Sequence, residues 1–141
     1  DSMTNALIAP ATVLLLVTFL VWLLMLVRRV GETQSKKIHP QKLATPEGVR
    51  EHLSDRALAV SNCFRNMLEV PVVFYVVCIF ITLTNQVDSM YLSMAWAFVG
   101  LRAVQAAVHS TYNRVMHRFI AYLLGSIVAW AMVIRFALSV I

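Results

Sequence analysis

With 141 residues the chain suffices for one domain, but it is 60% hydrophobic and only 13% charged. Soluble domains carry roughly a quarter charged residues, so this composition excludes a soluble fold. It indicates that lipid surrounds much of the protein surface. The net charge of +5 does not indicate nucleic-acid binding, because no basic stripe with interleaved aromatic residues is present.

The first predicted element is a membrane-spanning helix near the N-terminus, at about residues 5–30. Residues 6–27 carry no charge, and this run is long enough to cross about 30 Å of hydrocarbon as a helix. Pro10 falls in its first turn, where a missing N–H is harmless. Arg28 and Arg29 follow the apolar run rather than precede it, which argues against a cleaved signal peptide.

A polar loop at the membrane surface is predicted next, at about residues 31–54. It contains Pro40, Pro46 and Gly48 and most of the charge of the chain. Ser54 is expected to cap the helix that follows, with Asp55 as the other candidate.

Three further spans complete the predicted fold, at about residues 55–84, 89–112 and 115–140. The second span has an amphipathic first half and an apolar second half, with a kink expected at Pro71. The only charges within the third and fourth spans away from their ends are Arg102 and Arg135. The predicted fold class is therefore an all-α membrane protein, a single domain of four transmembrane helices.

The basic residues predict the orientation of the spans. Seven of the twelve lysines and arginines fall within residues 28–56, and Arg114 and Arg118 lie at the third loop. The second loop has none and carries Asp88. By the positive-inside rule the first and third loops face the cytoplasm and both termini face the periplasm. The expected location is the bacterial inner membrane, with lipid as a partner and no nucleic acid.

Each of the last three spans carries a polar stripe in its cytoplasmic half. At 100° per residue the stripes group Asn62, Arg65, Asn66 and Glu69, then Arg102, Gln105, His109 and Tyr112, then Arg114, Arg118 and Tyr122. A charged residue deep in a helix costs about 2.5–3.5 kcal/mol, so these groups need compensation.

Two explanations of the stripes remain open. The groups can pair with one another and fix helix packing, although Arg65 before Glu69 is the less favourable order for a helical pair. The surplus of arginine instead favours an anionic guest, because a planar guanidinium suits carboxylates and phosphates. No metal is expected, since the four histidines show no metal-ligand spacing.

At these residues the chain resembles the MAPEG family, the membrane-associated proteins in eicosanoid and glutathione metabolism. The family's second helix carries an Arg-Asn-x-x-Glu element followed by proline, which here is Arg65-Asn66-Met67-Leu68-Glu69 with Pro71. Gly100-Leu101-Arg102 matches the polar face of the third helix, and Arg118 and Tyr122 follow at the family's spacing. The resemblance is to a bacterial branch, similar to microsomal glutathione transferases and microsomal prostaglandin E synthase.

The resemblance implies a homotrimer that holds glutathione, as co-substrate, between subunits on the cytoplasmic side. The implied binding residues are Asn62, Arg65, Asn66, Glu69, Arg102, His109 and Tyr122, with Arg28 or Arg29 reaching in from a neighbouring subunit. Arg65 and Arg102 are implied to bind carboxylates, and Glu69 the ammonium group. Arg118 is the implied catalytic residue, because a nearby cation favours the thiolate over the thiol.

The predicted function is therefore a glutathione-dependent transferase or peroxidase that acts on lipophilic electrophiles in the membrane. The chain departs from the family pattern at Phe64, Gln105, His109 and Phe119, which leaves the second substrate undefined. The alternative is a non-catalytic membrane binding or scaffold protein of the same fold. A small multidrug transporter is a third class, but it needs a glutamate in the first helix, and residues 6–27 contain no acid.

Overall fold

The structure, a computed structural model, describes residues 4–111 and 114–141. Its helices are α1 (Ile8–Ser35), a 3₁₀ turn (Pro40–Leu43), α2 (Pro46–His52), α3 (Asp55–Asn66), α4 (Val70–Leu83), α5 (Ser89–Ser110) and α6 (Val115–Val140). Within the described residues, four stretches are long and apolar enough to cross a membrane: α1, α3 with α4, α5, and α6. The predicted all-α fold with four spans is confirmed.

The first helix is longer than the sequence predicted. It continues to Ser35 instead of ending near residue 30, because its charged last turns find partners outside the apolar span. The Glu32 carboxylate accepts hydrogen bonds from the backbone N–H of Ser54, at 2.8 Å, and from its hydroxyl. Ser54 in turn caps α3 by accepting from the N–H of Ala57 at 3.2 Å. Glu32 therefore ties the end of α1 to the start of α3.

The predicted loop at residues 31–54 is shorter and more ordered than expected. It contains the 3₁₀ turn and α2, each with a side-chain cap. His39 Nδ1 accepts from the N–H of Gln41 at 3.1 Å, and the Thr45 hydroxyl accepts from the N–H of Gly48 at 3.0 Å. Gly48 lies so close to the carbonyl of Lys42 that a Cβ there would overlap it. These short-range contacts fold the segment without a hydrophobic pattern that the sequence could reveal.

The second span consists of two helices, whereas the sequence predicted one helix over residues 55–84. α3 ends at Asn66 and α4 begins at Val70, with a three-residue break between them. Pro71 has no N–H, and its ring excludes the carbonyl of the residue four earlier, which is Met67. The disruption therefore falls on the turn before the proline rather than at the proline itself.

The third span, α5, lies at the centre of the bundle. It contacts α1, α3 and α6, and its contact with α6 is the most extensive between any two helices. Small buried residues on α6 permit this approach: a Cβ at Gly125 would lie 3.7 Å from the Arg102 side chain. Phe74 of α4 stacks on Phe98 of α5 with ring centroids 4.5 Å apart.

Large apolar side chains cover the outside of the bundle, as lipid contact requires. Examples from the four spans are Leu16, Leu20, Ile79, Val104, Ile127 and Leu138. The chain is thus a multi-pass membrane protein. Its two ends differ: the long-loop end carries residues 36–54, the end of α5 and the start of α6, and the short-loop end carries residues 84–88.

A charged cluster closes the short-loop end. The Asp88 carboxylate caps α5 by accepting from the N–H of Tyr91 at 2.9 Å and binds both terminal nitrogens of Arg135, at 3.1 and 2.8 Å. The Arg135 guanidinium also lies over the Tyr91 ring, 4.2 Å from its centroid. Arg135 and the Tyr91 N–H hold the pKa of Asp88 below its ordinary value. The cluster fixes the last turns of α6 against the start of α5.

Candidate functional site

A polar cavity of about 240 Å³ lies beside the break between α3 and α4. It lies in the half of the bundle nearer the long-loop end, because α6 begins at that end and its first turns line the cavity. Its lining residues come from the end of α3, the break, α5 and the first turns of α6: Asn66, Glu69, Gln105, Val115, Arg118, Phe119 and Tyr122.

Four residues that the sequence assigned to the site line this cavity together. Asn66 is the last residue of α3, and Glu69 immediately precedes α4. Arg118 and Tyr122 lie one turn apart on α6. The cavity thus combines a carboxylate, a guanidinium, a carboxamide and a phenol, which suits a ligand with charges of both signs.

Arg102 is not in the lining, although the sequence assigned it to a ligand carboxylate. Its side chain is 1% exposed, and both terminal nitrogens have protein partners. Nη1 donates to Gln105 Oε1 at 2.6 Å, and Nη2 donates to the backbone carbonyl of Asn66 at 2.9 Å. Helical phase put Arg102 on the correct face, but that face is covered by α3 and α6.

His109 is also buried behind the cavity and does not line it. Its side chain is 3% exposed, and its Nδ1 has no hydrogen-bond partner among the described residues. Tyr112, which the sequence placed on the same stripe, lies outside the described residues. The stripe on α5 is therefore mainly an internal surface of the bundle, reaching the cavity through Gln105.

Asn62 and Arg65 are exposed on α3 and do not line the cavity of their own chain. The sequence prediction assumed one continuous helix through residues 62–69 and so placed them on the same face as Glu69. The break changes the direction of the chain before Glu69. Their polar groups face outward from a span whose second half, α4, exposes apolar residues such as Ile79 and Phe80.

Arg28 and Arg29 make contacts within their own chain. Arg28 Nη1 donates to the carbonyl of Ser110, the last residue of α5, at 2.9 Å. Arg29 Nη2 donates to the hydroxyl of Ser61 on α3 at 3.0 Å. Both arginines connect α1 to the helices around the cavity without entering it.

The sequence did not assign three of the lining residues to binding. Gln105 was identified on the polar stripe of the third span but was treated only as a departure from the family pattern. Its spacing of three residues from Arg102 was the signal that it belonged to the site. Val115 and Phe119 add an apolar edge beside Arg118, and both are more than half exposed.

Two larger cavities contain no comparable set of polar groups. One, of about 470 Å³, lies between α1 and α4, and the other, of about 400 Å³, lies between α4 and α6. Both are open grooves on the apolar surface of the spans. Among the described residues, no group of three histidine, cysteine or acidic side chains is arranged to hold a metal ion.

Comparison with protein families gives a match to the MAPEG family over residues 7–138, nearly the whole chain. No curated protein and no solved structure gives a significant match. The matched range includes every residue that lines the polar cavity.

Proposed function

The chain belongs to the MAPEG family, and from this premise we propose that it is a glutathione-dependent transferase or peroxidase for lipophilic electrophiles. The observation that carries this proposal is the composition of the 240 Å³ cavity. Glu69 and Arg118 provide opposite charges within it, while Val115 and Phe119 form its apolar edge. A hydrophilic thiol and a membrane-dissolved electrophile can therefore meet at one site.

Glutathione matches the polar groups of the cavity. It carries an ammonium group, two carboxylates, two peptide groups and a thiol. Glu69 takes the ammonium group, and the Asn66 carboxamide bonds the peptide backbone. Tyr122, one turn from Arg118, donates a hydrogen bond to the tripeptide or packs against it.

Arg118 activates the thiol in this proposal. A guanidinium beside the sulfur stabilises the thiolate, which is the nucleophilic form. In the transferase reaction the thiolate attacks an electrophilic carbon, a C–S bond forms, and the leaving group departs with its electron pair. The apolar edge formed by Val115 and Phe119 places the electrophile beside Arg118, because a lipophilic molecule reaches this position from the bilayer.

We further propose that the complete site lies between subunits of a homotrimer. One chain encloses about 240 Å³, less than the roughly 300–1,000 Å³ of typical small-molecule pockets. Asn62 and Arg65 present polar groups outward from α3. A second copy packed against this face would enlarge the site and remove those groups from lipid.

In this proposal the long-loop end faces the cytoplasm of a bacterial cell, in agreement with its lysines and arginines. Both termini then face the periplasm. A reporter that works only in the periplasm should be active when it is fused after Ile141. Activity of a reporter that works only in the cytoplasm would contradict this orientation.

The decisive experiment is titration of the purified protein with glutathione while thiolate absorbance is followed in the ultraviolet. A saturable thiolate signal near neutral pH, together with turnover of a chlorinated aromatic electrophile or a lipid hydroperoxide, is the expected result. Binding without thiolate formation or turnover would contradict the catalytic function.

A non-catalytic binding or scaffold protein is the second candidate, and Phe119 is the observation that favours it. This side chain lines the cavity beside Arg118 at a position where the synthase type of the family has a serine. The hydroxyl that would assist the thiolate is therefore missing. Under this alternative, glutathione binds but its thiol keeps its ordinary pKa.

A further inference from the structure

Arg102 is a buried cation whose bound acceptors are all neutral. Its side chain is 1% exposed within the membrane-spanning part of α5. Its terminal nitrogens donate to the Gln105 side chain and the Asn66 carbonyl, and the Met67 sulfur lies 3.8 Å from Nη2. Among the described residues, no carboxylate lies within ion-pair distance of it. A residue that is so costly to bury, and is not paired with an opposite charge, needs another reason for its position.

The contact with Asn66 supports the end of a helix. Asn66 is the last residue of α3, and the final carbonyls of a helix lack partners in the next turn. Here the helix stops before Pro71, and the Asn66 carbonyl accepts one bond along the chain, from the N–H of Glu69 at 3.2 Å, which leaves its second lone pair for another donor. Arg102 donates to the Asn66 carbonyl from α5, and its positive charge lies at the negative end of the α3 dipole. The guanidinium thus holds the end of α3 in place, and the last residue of α3, Asn66, lines the cavity.

The contact with Gln105 determines which end of a carboxamide faces the ligand. An arginine can only donate hydrogen bonds, so the Gln105 atom that meets Nη1 at 2.6 Å must be the oxygen. The amide nitrogen at the other end of the carboxamide is then directed away from Arg102. Because Gln105 also lines the cavity, that nitrogen is available as a hydrogen-bond donor to a bound molecule.

We infer that Arg102 is a positioning residue, which acts on the ligand through Asn66 and Gln105, and that Gln105 is fixed as a donor to a carboxylate or carbonyl oxygen of that ligand. This inference rests on the proposed glutathione site. It replaces direct binding of a ligand carboxylate by Arg102, since Arg102 is buried outside the cavity lining and both of its terminal nitrogens have partners.

The first test is Gln105→Glu, with glutathione sulfonate as a probe that cannot react. Glutamate keeps an oxygen for Arg102, so the melting temperature should equal or exceed that of the wild type. It removes the N–H donor, so affinity for the probe should fall about tenfold or more. Unchanged affinity in this folded variant would overturn the donor role of Gln105.

The second test measures whether Arg102 acts through Gln105. Gln105→Ala should weaken probe binding about tenfold in the wild-type background and less than about twofold beside Arg102→Lys, because lysine cannot make both contacts. An equal loss in both backgrounds would overturn the inference. If Arg102→Lys does not fold, Gln105→Glu still tests the donor role of Gln105, because that variant keeps an acceptor for Arg102 and removes only the N–H donor side of the carboxamide; affinity equal to wild type would overturn the inference.

A third measurement needs no ligand and so separates this inference from the proposed function. Arg102→Lys should raise hydrogen exchange in residues 63–71 severalfold, whereas Arg135→Lys, at the short-loop end, should leave that segment unchanged. Equal exchange in wild type and Arg102→Lys would show that Arg102 does not hold the break. If wild type binds no glutathione, the proposed function fails, and the exchange result still decides the role of Arg102.

Discussion

Arg114 and Arg118 are one turn apart at the start of α6, but only Arg118 lines the polar cavity. If Arg118 stabilises the thiolate, Arg118→Ala should lower the rate with a chlorinated aromatic electrophile about a hundredfold. Arg118→Lys should recover only part of that rate, because a lysine keeps the charge without the planar fork. Thiolate absorbance should fall in parallel with the rate.

Arg114→Ala is the matched control for this prediction, since it also removes an arginine from the start of α6. Its rate should stay within about twofold of wild type. Full activity in Arg118→Ala would instead mean that Arg118 extends toward phospholipid headgroups, as cationic side chains at helix ends commonly do.

Glu69 and Arg65 belong to one sequence motif, but only Glu69 lines the cavity. Substitutions of the two residues should therefore affect glutathione binding differently. Among the described residues Glu69 is the one carboxylate that lines the cavity, and Glu69→Gln removes it. Losing one partner of a charge pair that the bound ligand desolvates costs about 2–5 kcal/mol. Glutathione binding measured by calorimetry should therefore weaken at least about thirtyfold. Arg65→Ala should weaken it only if a second copy brings Arg65 to the ligand. No loss in Glu69→Gln, with the fold intact, would remove Glu69 from the site.

At the scale of elements, the break between α3 and α4 should depend on Pro71. Pro71→Ala restores an N–H for the Met67 carbonyl and favours a continuous helix. We expect slower hydrogen exchange across residues 67–72, unchanged or higher thermal stability, and at least tenfold weaker glutathione binding. Pro10→Ala is the control, because Pro10 lies in the first turn of α1. A Pro71→Ala variant with wild-type exchange and affinity would show that other contacts set the break.

The cluster at the short-loop end should make stability depend on pH. Because Arg135 and the Tyr91 N–H lower the pKa of Asp88, its carboxylate stabilises the fold above its unfolded pKa of about 3.9. That contribution is lost as the pH falls through the lower folded value. Both side chains are more than a third exposed, so it is at most about 1 kcal/mol. Thermal denaturation should show wild type more stable than Asp88→Asn at pH 7, with the difference vanishing well below pH 4.

At the scale of the whole molecule, the four spans were predictable because the bilayer imposes length and hydrophobicity on each of them. The spacing of Arg118 and Tyr122 also held, since both lie on one uninterrupted helix. The sequence placed Arg65 and Glu69 on one face because it assumed a continuous helix, and the break between α3 and α4 separates them. The burial of Arg102 and His109 depends on which neighbours cover α5, and one sequence without tertiary contacts does not contain that information.

The assembly prediction also belongs to this scale. A homotrimer should have a protein mass of about three times 15.9 kDa in mild detergent. The physical reason is that Asn62 and Arg65, exposed on a membrane-spanning helix, need partners other than lipid. A stable monomer or dimer that binds glutathione with full affinity would contradict the intersubunit site.

The burial of Arg102 also has a consequence for biosynthesis. α5 is the least hydrophobic of the four spans, and its central cation finds an acceptor on α3. As a solitary segment leaving the translocon, α5 would carry that charge into lipid at a cost of about 2.5–3.5 kcal/mol. We therefore expect α5 to integrate only when α3 and α4 are already beside it. Glycosylation mapping of a nascent chain that lacks residues 55–83 should find α5 largely left on the cytoplasmic side instead of embedded.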